Sequence, residues 1–100
     1  MSIRKYLKHT VDIVHVVLTA GVRSEIVTTD VPAFITQKTV VVKDEIGDHF
    51  GTRHVIFLEG DTVIDEADEL IVDGKQRPIV DIFKVRDTST VIHHLEVEVQ

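Results

Sequence analysis

One hundred residues, 43% of them hydrophobic and none of them cysteine, make a single domain held by packing, without disulfides or thiolate metal sites. The formal net charge of −6 is unevenly spread: residues 1–43 carry +3, residues 44–100 carry −9, and seven acids with no base lie between Glu59 and Asp73. That balance argues against tight nucleic-acid binding, which needs Lys and Arg to neutralise phosphates, and no run approaches the ~20 apolar residues of a membrane span.

Val and Ile dominate the apolar set, and β-branched side chains fit a pleated sheet better than a helical turn. Residues 1–9 (MSIRKYLKH) read as a short basic arm or a helical turn anchored by Tyr6 and Leu7. No apolar run of signal-peptide type stands beside Arg4, Lys5 and Lys8. Residues 10–18 predict a strand, with Ile13, His15 and Val17 on one face and Val14, Val16 and Leu18 on the other. Thr19-Ala20-Gly21 ends it. Residues 23–29 read as a strand or an irregular connector. Residues 31–42 read as one long, bent strand, with Pro32 at its start because proline has no amide to donate.

Residues 43–53 (KDEIGDHFGTR) read as a long loop bearing two glycines, three acids and the isolated apolar residues Ile46 and Phe50. Residues 53–59 (RHVIFLE) alternate as a strand. Residues 60–69 form an acidic connector with one helical turn at 64–67, where Asp68 caps or tightens a turn. Residues 70–72, the turn starting at Asp73-Gly74, and residues 78–85 predict a hairpin. Residues 86–89 are a second polar turn. Residues 90–99 close the fold: Val91, His93, Leu95, Val97 and Val99 face one way, and Ile92, His94, Glu96 and Glu98 the other. The fold class is all-β: a small antiparallel barrel of six to seven strands, with one long loop and a short N-terminal arm. Closure removes the free edges that invite aggregation.

Reactive chemistry finds little footing. The six histidines include no pair at the i, i+4 spacing of a helical zinc motif, and His93 and His94, adjacent on a strand, point to opposite faces. His93 is expected inside the barrel and His94 at a surface or interface. The acidic connector lacks the ligand spacing of an EF-hand loop. Ser2, Ser24 and Ser89 stand in no nucleophile-elbow sequence, and Gly47 and Gly51 lack the pattern of a phosphate-binding loop. Neither catalytic residues, nor a resident metal, nor a cofactor are expected. The loop at 43–53 is longer than the ~2–5 residues a hairpin needs, and its apolar pair suggests contact with a neighbour or the lining of an opening.

The order of a long strand, a glycine-bearing loop, RHVIFLEGD, the acidic connector into DELIVDGKQRPIVDI, and a terminal VRDTSTVIHHLEVEV resembles the head-closure (head-to-tail stopper) proteins of tailed bacteriophages. The resemblance runs over residues 10–99. It implies a β-barrel assembled as a homo-oligomeric ring of six to twelve copies in the virion neck, put together in the host cytoplasm. Portal and adaptor proteins would lie above it, a tail-joining protein below, and packaged double-stranded DNA in its channel. It also implies a gating loop, which by position is Lys43, Asp44, Glu45, Ile46, Gly47, Asp48, His49, Phe50, Gly51, Thr52 and Arg53. Ile46 and Phe50 are then the plug contacts, and Asp44, Glu45 and Asp48 the acids that repel phosphates in the lumen. Arg4, Lys5, Lys8, His94, Glu96 and Glu98 are the expected assembly contacts. A tail-completion protein is the neighbouring alternative. A monomeric barrel that binds a ligand in a concave apolar pocket, and an enzyme with a buried pKa-shifted cluster, are the alternatives from other classes.

Overall fold

The computed structural model describes residues 6–86 and 92–100, apart from the side chains of Val42 and Asp44. Six strands account for most of it: β1 (His9–Thr19), β2 (Val22–Asp44), β3 (Gly47–Glu59), β4 (Glu69–Val72), β5 (Lys75–Arg86) and β6 (Ile92–Val99). They close into a barrel in the order β1-β2-β3-β6-β5-β4, with every neighbouring pair antiparallel. The expected all-β antiparallel barrel, of six to seven strands, therefore forms with six among the described residues. Strands β4, β5 and β6 follow one another as a meander. The connector after β3 carries the chain past β6 and β5 to reach β4, leaving β3 beside β6 as in a Greek key.

The alternation seen in the sequence selects the inside. Val11, Ile13, Ala33, Ile56, Leu58, Leu70, Val72, Leu95, Val97 and Val99 meet in one buried cluster. Leu95, Val97 and Val99 point inward from β6, as their spacing predicts. Val14 is also buried but lies outside that cluster, so β1 is covered on both faces where it enters the barrel.

Three sequence expectations change. First, β2 is one strand of 23 residues, joining the two segments read separately. At ~3.3 Å per residue a straight strand of that length would run roughly 76 Å, yet the longest dimension of the molecule is 46 Å, so β2 coils. The bend falls where the β1–β2 register shifts between Val11 and Ile13. There Asp30 takes φ 55°, and its amide donates to Asp12 Oδ1 at 3.0 Å. This is a bulge that a side-chain carboxylate holds in place.

Second, residues 43–53 are not a loop. β2 continues to Asp44 and β3 begins at Gly47, leaving Glu45 and Ile46 as the turn. Third, the connector has no helical turn at 64–67. Asp65 Oδ1 accepts the Ala67 amide at 2.9 Å and the Asp65 carbonyl accepts the Asp68 amide at 2.9 Å, which makes a tight turn instead. Of the expected arm, residues 1–5 lie outside the described residues, as do residues 87–91, which hold most of the second polar turn and Val91.

Candidate functional site

The barrel proper uses only part of β1, β2 and β3. β3 pairs with β6 from His54 onward, so, among the described residues, 38–44 and 47–53 pair only with each other. They form a two-stranded ribbon that stands off the barrel. Directly opposed residues share a face, which puts Val41 beside Phe50, Thr39 beside Thr52 and Lys43 beside Asp48. This is the face that continues the barrel interior. Phe50 is 79% exposed, Val41 58% and the turn residue Ile46 97%. Glu45, Asp48, His49 and Thr52 are exposed as well, with Gly51 and Arg53 half-covered.

A charged clamp holds the base of this hairpin. Arg53 Nη1 donates to Glu98 Oε1 and Lys38 Nζ to Glu98 Oε2, each at 3.1 Å. Glu98 is only 6% exposed. Burial by itself would raise its pKa, but the hydrogen bonds from Lys38 and Arg53 prevail and hold it below the usual carboxylate range. Glu98 is thus paired with two cations of its own chain. It faces outward as its spacing predicts, yet two long cationic side chains lie over it.

A second hairpin projects where β1 and β2 pair alone, over residues 15–26. Its turn is Ala20-Gly21, with φ 51° and 79°, and it exposes Val17, Leu18, Val22 and Ile26. Where this hairpin meets the barrel, the buried Asp68 ties the connector to β1. Its Oδ2 accepts the Asp65 amide at 2.9 Å and His15 Nδ1–H at 3.1 Å, and its Oδ1 accepts the Val16 amide at 3.3 Å. His15 Nε2 is left to pair with Thr28 Oγ1, at 3.1 Å. Carboxylate, imidazole and hydroxyl stand in the order of a nucleophile relay, but Thr28 does not line the groove described next. The turn-tightening role expected of Asp68 is the one it performs.

On the outer face, rings stack across four strands. His9–Phe34, Phe34–Phe57 and Phe57–His94 have centroids 5.3, 6.2 and 5.8 Å apart. His94 is therefore half-buried in this stack and bonds Glu96, Nε2 to Oε1, at 3.3 Å. His93 and His94 do not diverge as adjacent strand residues should. The β5–β6 register shifts between Val85 and Arg86, opposite this pair. The two Nδ1 atoms come within 2.8 Å, one donating and one accepting. His93 is half-buried rather than part of the core. No group of three or more His, Cys, Asp or Glu suited to a metal occurs among the described residues. Lys8 is exposed just ahead of β1, while Arg4 and Lys5 lie outside the described residues.

An open groove of about 440 Å³ runs between the connector and β5, lined by Ile64, Asp65, Glu66, Ile82, Phe83 and Lys84. Sequence reading did not find it. The exposed Val63 and the Ile64 beside it were its only local signal.

These features define a class: a small closed Greek-key barrel with two free-standing hairpins. No family model matches the chain, and no curated protein matches it. Among solved structures it is similar to the phage-like element PBSX protein xkdH of Bacillus subtilis. The TM-score is 0.56 and the identity 18%, over 91% of this chain and 90% of that one. That likeness is one of fold.

Proposed function

We propose that this protein is a virion neck component of a tailed phage, one that closes the DNA-filled head and joins it to the tail as a ring of six to twelve copies. It works by assembly and by movement of a hairpin, without turnover. The observation that carries this reading is the β2–β3 ribbon, a projection with a charged clamp at its base and Val41, Ile46 and Phe50 exposed along it. Apolar side chains along this ribbon are left largely exposed by their own subunit. They would be covered where copies bring several tips together. The fold likeness to a protein of a phage-like element, over nine-tenths of both chains, supports a phage origin.

In the ring the tips meet near the axis and obstruct the channel, while Glu45 and Asp48 keep duplex DNA from adhering. Portal and adaptor proteins sit above and the tail-joining protein below. Imaging of particles from the source phage is the test. Density for six to twelve copies between portal and tail is expected. A ring at the upper end of the tail tube alone would make this a tail-completion protein, and absence from the particle would end the proposal.

A further inference from the structure

The tie between Asp68 and β1 uses only one nitrogen of His15. The Asp68 side chain is 6% exposed and takes His15 Nδ1–H at 3.1 Å. A neutral imidazole carries a single ring proton, so this bond leaves Nε2 as an acceptor. Nε2 stands 3.1 Å from Thr28 Oγ1, and the proton between them is the one the hydroxyl donates. A hydroxyl within ~2.6–3.2 Å of a base that a third group orients is the arrangement of an activated nucleophile. The carboxylate is itself held by the Val16 and Asp65 amides, so the orientation of the imidazole is built into the junction of connector and β1.

The backbone turns this hydroxyl outward. Thr28 lies opposite Ile13 of the buried cluster, yet Thr28 is exposed. Between the pairs Val11–Val31 and Ile13–Thr28, one residue of β1, Asp12, faces two of β2, Thr29 and Asp30. Bulges of this kind re-aim side chains. Among the described residues β2 pairs with β3 only from Ala33 onward, so its second edge is open at Thr28. Alternate amides of a strand bonded on one side point to its open edge, so Thr28 or Val27 presents an N–H there, beside the hydroxyl. An apolar strip leads away along the same face. Ile26 and Val22 follow Thr28 at alternate positions of β2, Val17 stands on the facing strand, and all three are exposed.

We infer that Thr28 is the nucleophile of an acyl-transfer site, with His15 as its general base and Asp68 as the residue that positions the base. The site takes an acyl group with an apolar chain from an activated ester. Thr28 Oγ1 attacks the ester carbonyl carbon as its proton passes to His15 Nε2. The tetrahedral intermediate collapses, the bond from carbonyl carbon to leaving oxygen breaks, and that oxygen takes the proton back from Nε2. The products are an O-acyl ester on Thr28 and the free alcohol, with no oxidant or cofactor in the balance. The acyl chain lies along Ile26 and Val22. The step modifies each chain once and stands apart from the neck reading, since neither Thr28 nor His15 belongs to the β2–β3 ribbon.

The probe is p-nitrophenyl hexanoate, with p-nitrophenyl acetate for comparison, incubated with the full chain. Nitrophenol release and one hexanoyl group per chain are expected, and fragmentation of the tryptic peptide of residues 24–38 should place the group on Thr28. The hexanoyl ester should react several-fold faster than the acetyl ester. Thr28→Val alters only an exposed hydroxyl and should abolish the adduct, Thr28→Ser should retain it, and His15→Gln should slow it about a hundredfold. Asp68→Asn should lower the rate at saturating ester and leave the half-saturating concentration unchanged, which a loss of folding would not do. An adduct confined to lysines or the α-amino group, or rates for Thr28→Val or His15→Gln equal to that of the unaltered chain, overturns the proposal.

Discussion

Two carboxylates carry much of the local order, and each makes a prediction. Asp68 accepts three hydrogen bonds, from Val16, Asp65 and His15, and is buried while doing so. Asp68→Ala strands two amides and an imidazole and should lower the unfolding free energy by about 2–3 kcal/mol, read from the urea midpoint. Asp68→Asn, which keeps an acceptor, should cost less. Glu98 has its pKa pulled below the reference value of 4.5 by Lys38 and Arg53, against the effect of burial. A lowered carboxylate pKa means that the unfolded chain binds the proton first. The clamp's stabilisation is therefore full above about pH 4.5 and is lost as pH falls through the folded value. Glu98→Gln should destabilise at neutral pH and flatten the acid limb of a stability-against-pH curve. An unaltered acid limb would show that the clamp contributes nothing. Neither role was fully legible in the sequence. The Asp68 turn could be read from its setting after Asp65, but the clamp joins residues 38, 53 and 98, which only barrel closure brings together.

At the scale of elements, turn chemistry decided what could be read. Asp73-Gly74 has positive φ at both positions, 53° and 77°, and its hairpin was visible because Asp-Gly is the usual signature of that turn. The β2–β3 turn places Glu45 and Ile46 at the tip and its glycine one place later, with Gly47 at φ 120°. Without a signature pair, and with Gly51 still to come, the segment looked like a loop. Strands β5 and β6 were legible by alternation, as was the second of the two stretches that β2 joins, while residues 23–29 read equally as an irregular connector. The bulge at Asp30 hid their continuity. Ala20 holds φ 51° in the β1–β2 turn, a region costly for a residue with a Cβ. Ala20→Gly should therefore stabilise by about 0.5–1 kcal/mol, measured by thermal melting. Gly60 is the reverse case: a Cβ there would collide with the Ile92 carbonyl oxygen. Gly60→Ala must move backbone where β3 leaves the barrel beside β6, and should cost about 1–3 kcal/mol in the same assay.

For the whole molecule, stability and the proposed function occupy different regions. The barrel holds the buried cluster, whereas the β2–β3 ribbon beyond Lys38 and Arg53 adds few buried side chains to it. Its amides should exchange with deuterium well before those of Ile56, Leu58 and Val97. The same separation makes the gate testable without unfolding the protein. Ile46 and Phe50 touch solvent over most of their surface, so Ile46→Ser with Phe50→Ser should change the unfolding free energy only within the small range of surface substitutions, about ±0.5 kcal/mol. If the tips pack against one another across a channel, the same change removes apolar contact once per copy around the ring, and the loss grows with copy number. Filled heads carrying the variant should then release DNA before infection, seen as nuclease-sensitive DNA and a drop in infectious particles. A variant with native stability whose heads keep their DNA and infect normally would show that these tips do not close the channel, whatever ring the barrel forms.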